Sequence, residues 1–65
     1  SRGTVIRLAL ALQLTLPEAM EFMERAGYAL SSARPSDLVV TYYISRGVYD
    51  LMTIEAALYE IGEHL

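Results

Sequence analysis

The sequence contains no cysteine and only one histidine among its 65 residues. Without cysteine, neither a disulfide framework nor a thiolate metal site can hold the fold together. The single histidine, His64, follows Glu60 by one helical turn, but two residues make an incomplete metal site at a chain end. We therefore expect no metal, and the hydrophobic core alone must stabilise the chain.

Lysine is also absent, so the five positive side chains are all arginine, dispersed along a chain of net charge −3. Nucleic-acid binders draw much of their affinity from basic side chains that neutralise phosphates. The charge therefore argues against DNA binding by this chain alone. Because 54% of the residues are hydrophobic, we expect some apolar surface to meet a partner, either a second copy or a segment of a longer parent protein.

No apolar run approaches the ~20 residues of a membrane span. The stretch from Leu8 to Leu12 follows Arg2 and Arg7 and is similar to the start of a signal peptide. Gln13 interrupts this stretch, however, and Thr15 begins a new element without a small-residue cleavage site before it. We therefore expect a cytoplasmic protein without membrane contact.

Groups that carry chemistry are equally sparse. The four glycines lie far apart and form no phosphate-cradling loop. The serines have no histidine to act as a base, apart from the terminal one. The glutamates fall on the polar faces of predicted helices, where solvated carboxylates are expected rather than an acid–base pair. The sequence thus predicts a non-catalytic chain with no cofactor and no small-molecule substrate.

The second element is the clearest helix. Thr15 and Glu18 form a capping box, in which each side chain accepts a hydrogen bond from the backbone amide of the other residue. Pro17 is suited to the first turn, and Gly27 supplies a left-handed stop. One side of this helix is apolar at helical spacing, with the residues Leu16, Ala19, Met20, Phe22, Met23 and Ala26.

The other elements complete a predicted bundle of about four short helices in one domain, residues 1–65. Asp50 caps a last helix whose apolar residues repeat at helical spacing, and its terminal glutamates oppose the helix dipole, which predicts fraying. The first and third elements also fit strands, because leucines alternate from Leu8 to Leu16 and β-branched residues fill 38–44. Two lone strands make a marginal sheet, so the helical interpretation is more economical. Ser32 or Ser36 is expected to cap the third helix.

The first helix has few polar residues and is predicted to be buried nearly all round. Tyrosine is enriched at protein interfaces, and Tyr42 and Tyr43 point about 100° apart on a helix, so at least one is expected at the surface. These observations give a candidate partner interface: Val5, Ile6, Leu10, Tyr42 and Tyr43.

The stretch from Ser1 to Glu18 resembles the last two helices of Cro/CI-type helix-turn-helix domains, and residues 1–27 correspond to them. The matching positions are Thr4, Leu8, Ala9, Ala11, Leu12, Leu14 and Glu18. Residues 28–65 resemble a helical tail found after such domains in some bacterial multidomain proteins, including macro-type and von Willebrand-type ones. The chain departs from that pattern at Ser36 and Glu55, where the pattern has an aromatic residue and an asparagine.

The resemblance implies that a DNA-reading helix precedes Ser1 and that the helices of this chain support it from behind. In the intact protein, Arg2 and Thr4 are then candidate phosphate contacts. Our first hypothesis is a non-catalytic packing and protein-interaction module, the C-terminal half of a Cro/CI-like protein. The second is that this chain completes the fold of a DNA-binding transcriptional regulator, which contacts DNA only through the parent protein.

Overall fold

Four helices and no strand make up the computed structural model, which describes residues 1–65. Helix α1 spans Arg2–Ala11, α2 Leu16–Arg25, α3 Pro35–Ser45 and α4 Leu51–Glu60. The predicted all-helical bundle is confirmed, and the strand interpretation of the first and third elements is wrong. No helix has the length and apolar character needed to cross a membrane.

Three of the four helices begin at a side-chain cap. The Thr15 amide donates to the Glu18 carboxylate at 2.9 Å, and the Glu18 amide donates to the Thr15 hydroxyl at 3.3 Å, which confirms the capping box. Asp50 accepts from the Thr53 amide at the start of α4, and Ser1 accepts from the Thr4 amide at the start of α1.

Helix α3 begins differently. Its N-cap residue is Arg34, whose side chain makes no capping hydrogen bond, and Pro35 follows in the first turn. The prediction that Ser32 or Ser36 caps this helix is therefore wrong: Ser36 lies inside the helix and is buried. Arginine is a poor N-cap, and its positive charge opposes the helix dipole. The stability of α3 therefore does not explain why an arginine occupies its N-cap position.

A glycine in the left-handed conformation lies just beyond the end of α2. Gly27 adopts φ 87°, a left-handed conformation that favours glycine, directly after α2. The predicted stop is thus confirmed.

After α4 the chain folds back, and Leu65 packs against the core. A Cβ atom built on Gly3 would lie 2.6 Å from the Leu65 carbonyl carbon, so the two ends of the chain are in close contact.

All four helices contribute to one hydrophobic core. Its nine buried residues are Ile6, Ala9, Leu10, Ala19, Met23, Val40, Ile44, Ile54 and Leu58. The tyrosine in the α3–α4 loop, Tyr49, packs against this core and donates its hydroxyl to the Leu14 carbonyl at 2.7 Å. This hydrogen bond joins the α3–α4 loop to the α1–α2 loop.

Helix α1 is less buried than its composition predicts. Leu8 is 50% exposed and Leu12 is 60% exposed, so the prediction of burial nearly all round is wrong. The helices are only 10 or 11 residues long, and a bundle of four short helices covers each helix on one side only. An apolar stripe on α1 therefore faces away from the core.

Candidate functional site

The predicted partner interface is divided between the core and the surface. Ile6 is 3% exposed and Leu10 is 2% exposed, because both lie on the inward face of α1. They are thus part of the chain's own core, and the prediction that they contact a partner is wrong. Val5 is half-buried and packs against the same core.

The two adjacent tyrosines separate as the helical geometry predicts. Tyr42 is 50% exposed, whereas Tyr43 is half-buried and packs against the core. Their rings meet edge to face, with centroids 5.2 Å apart and an interplanar angle of 87°. Tyr43 thus supports the position of the Tyr42 ring at the surface.

Tyr42 is the centre of an exposed surface that we call the α3 stripe, formed by Leu38, Tyr42 and Arg46. Leu38 and Tyr42 each lie two residues from the buried Val40, about 160° around the helix from it, and Leu38 is 51% exposed. The Arg46 guanidinium lies 3.7 Å from the Tyr42 ring centroid, a cation-π contact. The stripe therefore presents an aliphatic, an aromatic and a positive group at four-residue spacing.

A groove between α2 and α3 adjoins this stripe. It has a volume of about 340 Å³ and is lined by Leu16, Met20, Leu30, Ser31, Ser32, Leu38 and Thr41. Met20 is 43% exposed on its α2 wall, and Leu38 belongs to both the groove and the stripe. The groove and the stripe therefore form one continuous apolar surface with polar edges, which we call the α2–α3 surface.

One buried carboxylate positions the wall of the groove. Asp37 is 1% exposed, and its Oδ2 accepts from the Arg2 guanidinium and from the Ser31 amide, the latter at 2.8 Å. Arg2 also donates to the Ala29 carbonyl at 2.7 Å. These bonds fix the loop before α3 against both α1 and α3. The sequence gives little sign of this arrangement, because Arg2 and Asp37 are far apart in the chain.

The same contacts contradict the predicted phosphate contact of Arg2. Its guanidinium is 20% exposed and is engaged by a carboxylate and a carbonyl within the chain. Thr4 is exposed, and its hydroxyl bonds to the Ser1 hydroxyl at 2.9 Å. A phosphate contact at Thr4 stays a prediction.

The charges divide into paired and unpaired groups. Three arginines form ion pairs: Arg2 with Asp37, Arg7 with Glu55 and Arg25 with Glu21. The other two, Arg34 and Arg46, form none, and they are the N-cap and C-cap residues of α3. The α3 stripe therefore lies on a helix whose two ends both carry an unpaired positive charge.

A second exposed surface lies on α4. We call it the α4 stripe, and it is formed by Met52, Ala56 and Tyr59. Met52 is 80% exposed and Tyr59 is 82% exposed. Met52 and Ala56 each lie two residues from the buried Ile54, so they face away from the core. Glu55 and Glu60 are exposed on the same helix; Glu60 has no ion pair, and Glu55 has a 3.4 Å contact with Arg7.

No three His, Cys, Asp or Glu side chains lie close enough together to hold a metal ion. The Asp50 pKa is lowered, first by the hydrogen bond from the Thr53 hydroxyl and then by the one from the Thr53 amide. That shift belongs to the cap of α4. The arrangement offers apolar and charged groups suited to macromolecular contact.

Comparison with protein-family models, curated proteins and solved structures found no match to this chain. The Cro/CI-type resemblance of residues 1–27 therefore remains an expectation drawn from the sequence. The fold and the two exposed surfaces carry the functional argument.

Proposed function

We propose that this chain is a non-catalytic protein-interaction module that binds a protein partner through the α2–α3 surface. The observation that carries the proposal is the continuous exposure of Met20, Leu38 and Tyr42 beside an unpaired Arg46. Tyrosine and arginine are enriched among the residues that dominate binding energy at interfaces. An apolar patch with polar edges is typical of a protein contact site.

The rigid support of this surface favours the same function. Asp37 fixes the loop that carries Leu30 and Ser31, and Tyr43 packs beneath Tyr42. A surface held in place before binding loses little conformational entropy when a partner docks. The proposed module therefore presents preformed side chains rather than a segment that folds on binding.

Helical peptides selected from a random display library against the intact chain test this proposal. We expect them to bind the wild type and the Leu8→Glu variant equally, and to lose at least about tenfold in affinity for Leu38→Glu. The two leucines make a matched pair, because their exposures are 50% and 51%. Peptides that instead lose affinity for Leu8→Glu, or that bind Leu38→Glu unchanged, contradict the proposal.

A second candidate function is the structural support of a DNA-binding regulator. Its supporting observation is the exposure of Leu8 on α1 and of Leu12 at the C-cap of α1. The Cro/CI-type resemblance places this helix behind an upstream recognition helix. In a longer protein with that upstream segment, Leu8→Glu is then expected to lower stability and salt-dependent DNA affinity together. Micromolar, salt-dependent binding of duplex DNA by residues 1–65 alone contradicts the proposal that this chain only supports the upstream DNA-binding segment.

A further inference from the structure

The two exposed stripes of the chain carry charges of opposite sign, of which all but Glu55 lack an ion pair. The α3 stripe is apolar at its centre, and its helix ends in the unpaired Arg34 and Arg46. The α4 stripe is also apolar at its centre and carries Glu55 and Glu60. We propose that the α4 stripe of one copy docks on the α3 stripe of a second copy. This inference rests on the proposed interaction function and names its partner.

One chain cannot make this contact within itself. Helices α3 and α4 pack against each other in the bundle, and both stripes lie on the opposite sides of these helices from the buried Val40 and Ile54. The stripes therefore face away from one another. Any pairing between them joins two copies, and each copy keeps one free stripe.

The side chains of the two stripes also fit in size. Ala56 lies between Met52 and Tyr59 on α4, so a small exposed side chain is flanked by two large exposed ones. Where two helices meet, an aromatic or leucine side chain packs as a knob into the space between residues of the facing helix. Tyr42 is the matching knob, because its ring is half exposed and is held by Tyr43 and Arg46. Arg46, about 6 Å from Tyr42 along α3, then lies beside the glutamates of the second copy, which are within about 6 Å of Ala56 along α4. Arg34 lies about 12 Å from Tyr42 and contributes attraction only at longer range.

The symmetry of this contact determines the kind of assembly. Two different surfaces meet, so the contact is heterologous and extends head to tail unless a ring closes.

The area of the contact limits its affinity. A stable interface buries ~800 Å² on each partner, about a fifth of the 4163 Å² surface of this chain, and one helix face supplies less. The dissociation constant is thus expected to be on the order of 100 μM. The assembly weakens as salt screens the charges.

A charge exchange between the stripes tests the proposal. The variant Arg34→Glu/Arg46→Glu makes the α3 stripe acidic, and Glu55→Arg/Glu60→Arg makes the α4 stripe basic. Every substituted side chain is exposed, and the only ion pair lost, Arg7 with Glu55, is an exposed pair that contributes little to stability. Thermal unfolding of each variant verifies that it is folded.

We expect the average mass of the wild type, measured by sedimentation equilibrium, to rise with concentration between about 10 μM and 1 mM. Each variant alone places like charges across the contact, so its self-association should weaken at least about tenfold. An equimolar mixture of the two variants should regain the wild-type mass, because opposite charges meet again at both contacts. Glu24→Arg changes an unpaired carboxylate on α2 and should associate as the wild type does.

Three results overturn the inference: a wild type that stays monomeric at 1 mM, association that persists in both charge variants, or a mixture that remains monomeric. A monomeric wild type whose α2–α3 surface still binds the selected helical peptides leaves the proposed function standing and removes only the second copy as its partner. Peptides that avoid this surface contradict the proposed function itself.

Discussion

The carboxylate of Asp37 on α3 pairs with the guanidinium of Arg2 on α1, across 35 residues of sequence. Asp37 is 1% exposed, and its Oδ1 has no hydrogen-bond partner. Burial of a carboxylate is unfavourable unless charged and polar donors compensate it. Here the compensation comes from Arg2 and the Ser31 amide, so one side chain joins α1, the loop before α3 and α3 itself.

Replacement of Asp37 should therefore destabilise the whole bundle. Asp37→Ala leaves the Arg2 guanidinium and the Ser31 amide without their acceptor, and we expect a loss of about 3 kcal/mol in the free energy of unfolding. Urea denaturation followed by circular dichroism measures it. Glu21→Ala removes an exposed ion pair and should cost under about 1 kcal/mol. Equal losses in the two variants would contradict the role of Asp37 in joining α1, α3 and the loop before α3.

Truncation of a side chain should destabilise the chain strongly on the inner side of α4 and very little on its outer side. Leu58 is fully buried, so Leu58→Ala leaves a cavity and should lower the free energy of unfolding by about 2–5 kcal/mol. Met52 is 80% exposed, and Met52→Ala should change it by less than about 0.5 kcal/mol. Chemical denaturation of both variants in dilute solution, below the concentrations proposed for self-association, compares them. A large loss in Met52→Ala contradicts the assignment of α4's outward face.

The cap at Asp50 should make stability depend on pH. Its pKa in the folded chain lies below the ordinary value of 3.8 because the Thr53 hydroxyl and amide stabilise the carboxylate. A folded pKa below the unfolded one means that the stabilisation is present above about pH 4 and is lost as the pH falls through the folded pKa. The stability difference between wild type and Asp50→Ala, measured by urea denaturation, should thus be larger at pH 7 than at pH 3. A difference that is the same at both pH values contradicts this cap.

The local signals of the sequence predicted most of the fold. Thr15, Glu18 and Gly27 define α2 through short-range chemistry, and Asp50 defines the start of α4, so both helices could be placed without tertiary information. The N-cap of α3 could not, because Arg34 obeys no capping rule. Propensity also gave no decision between helix and strand for the residues around Leu10, where burial in the shared core determines the result.

The candidate surface was only partly predictable. Periodicity shows which residues share a face of a helix, but it does not show which face turns inward when the helix is apolar on several sides. This ambiguity explains why the sequence predicts Leu10 at the interface although Leu8 is the exposed leucine. The sequence likewise predicts that at least one of Tyr42 and Tyr43 reaches the surface, but it does not show that Tyr42 is the exposed one. The ion pair between Arg2 and Asp37 depends on tertiary packing, and no local sequence pattern predicts it.

Amide chemical shifts recorded by two-dimensional NMR across a dilution series test the central claim most directly. As the concentration rises, we expect shift changes at the α3 stripe and the α4 stripe, around Leu38, Tyr42, Met52 and Tyr59, while the amides of α1 around Leu8 stay constant. Changes confined to α1, or no changes up to about 1 mM, would contradict the account of this chain as a module that interacts with its own copies through α3 and α4.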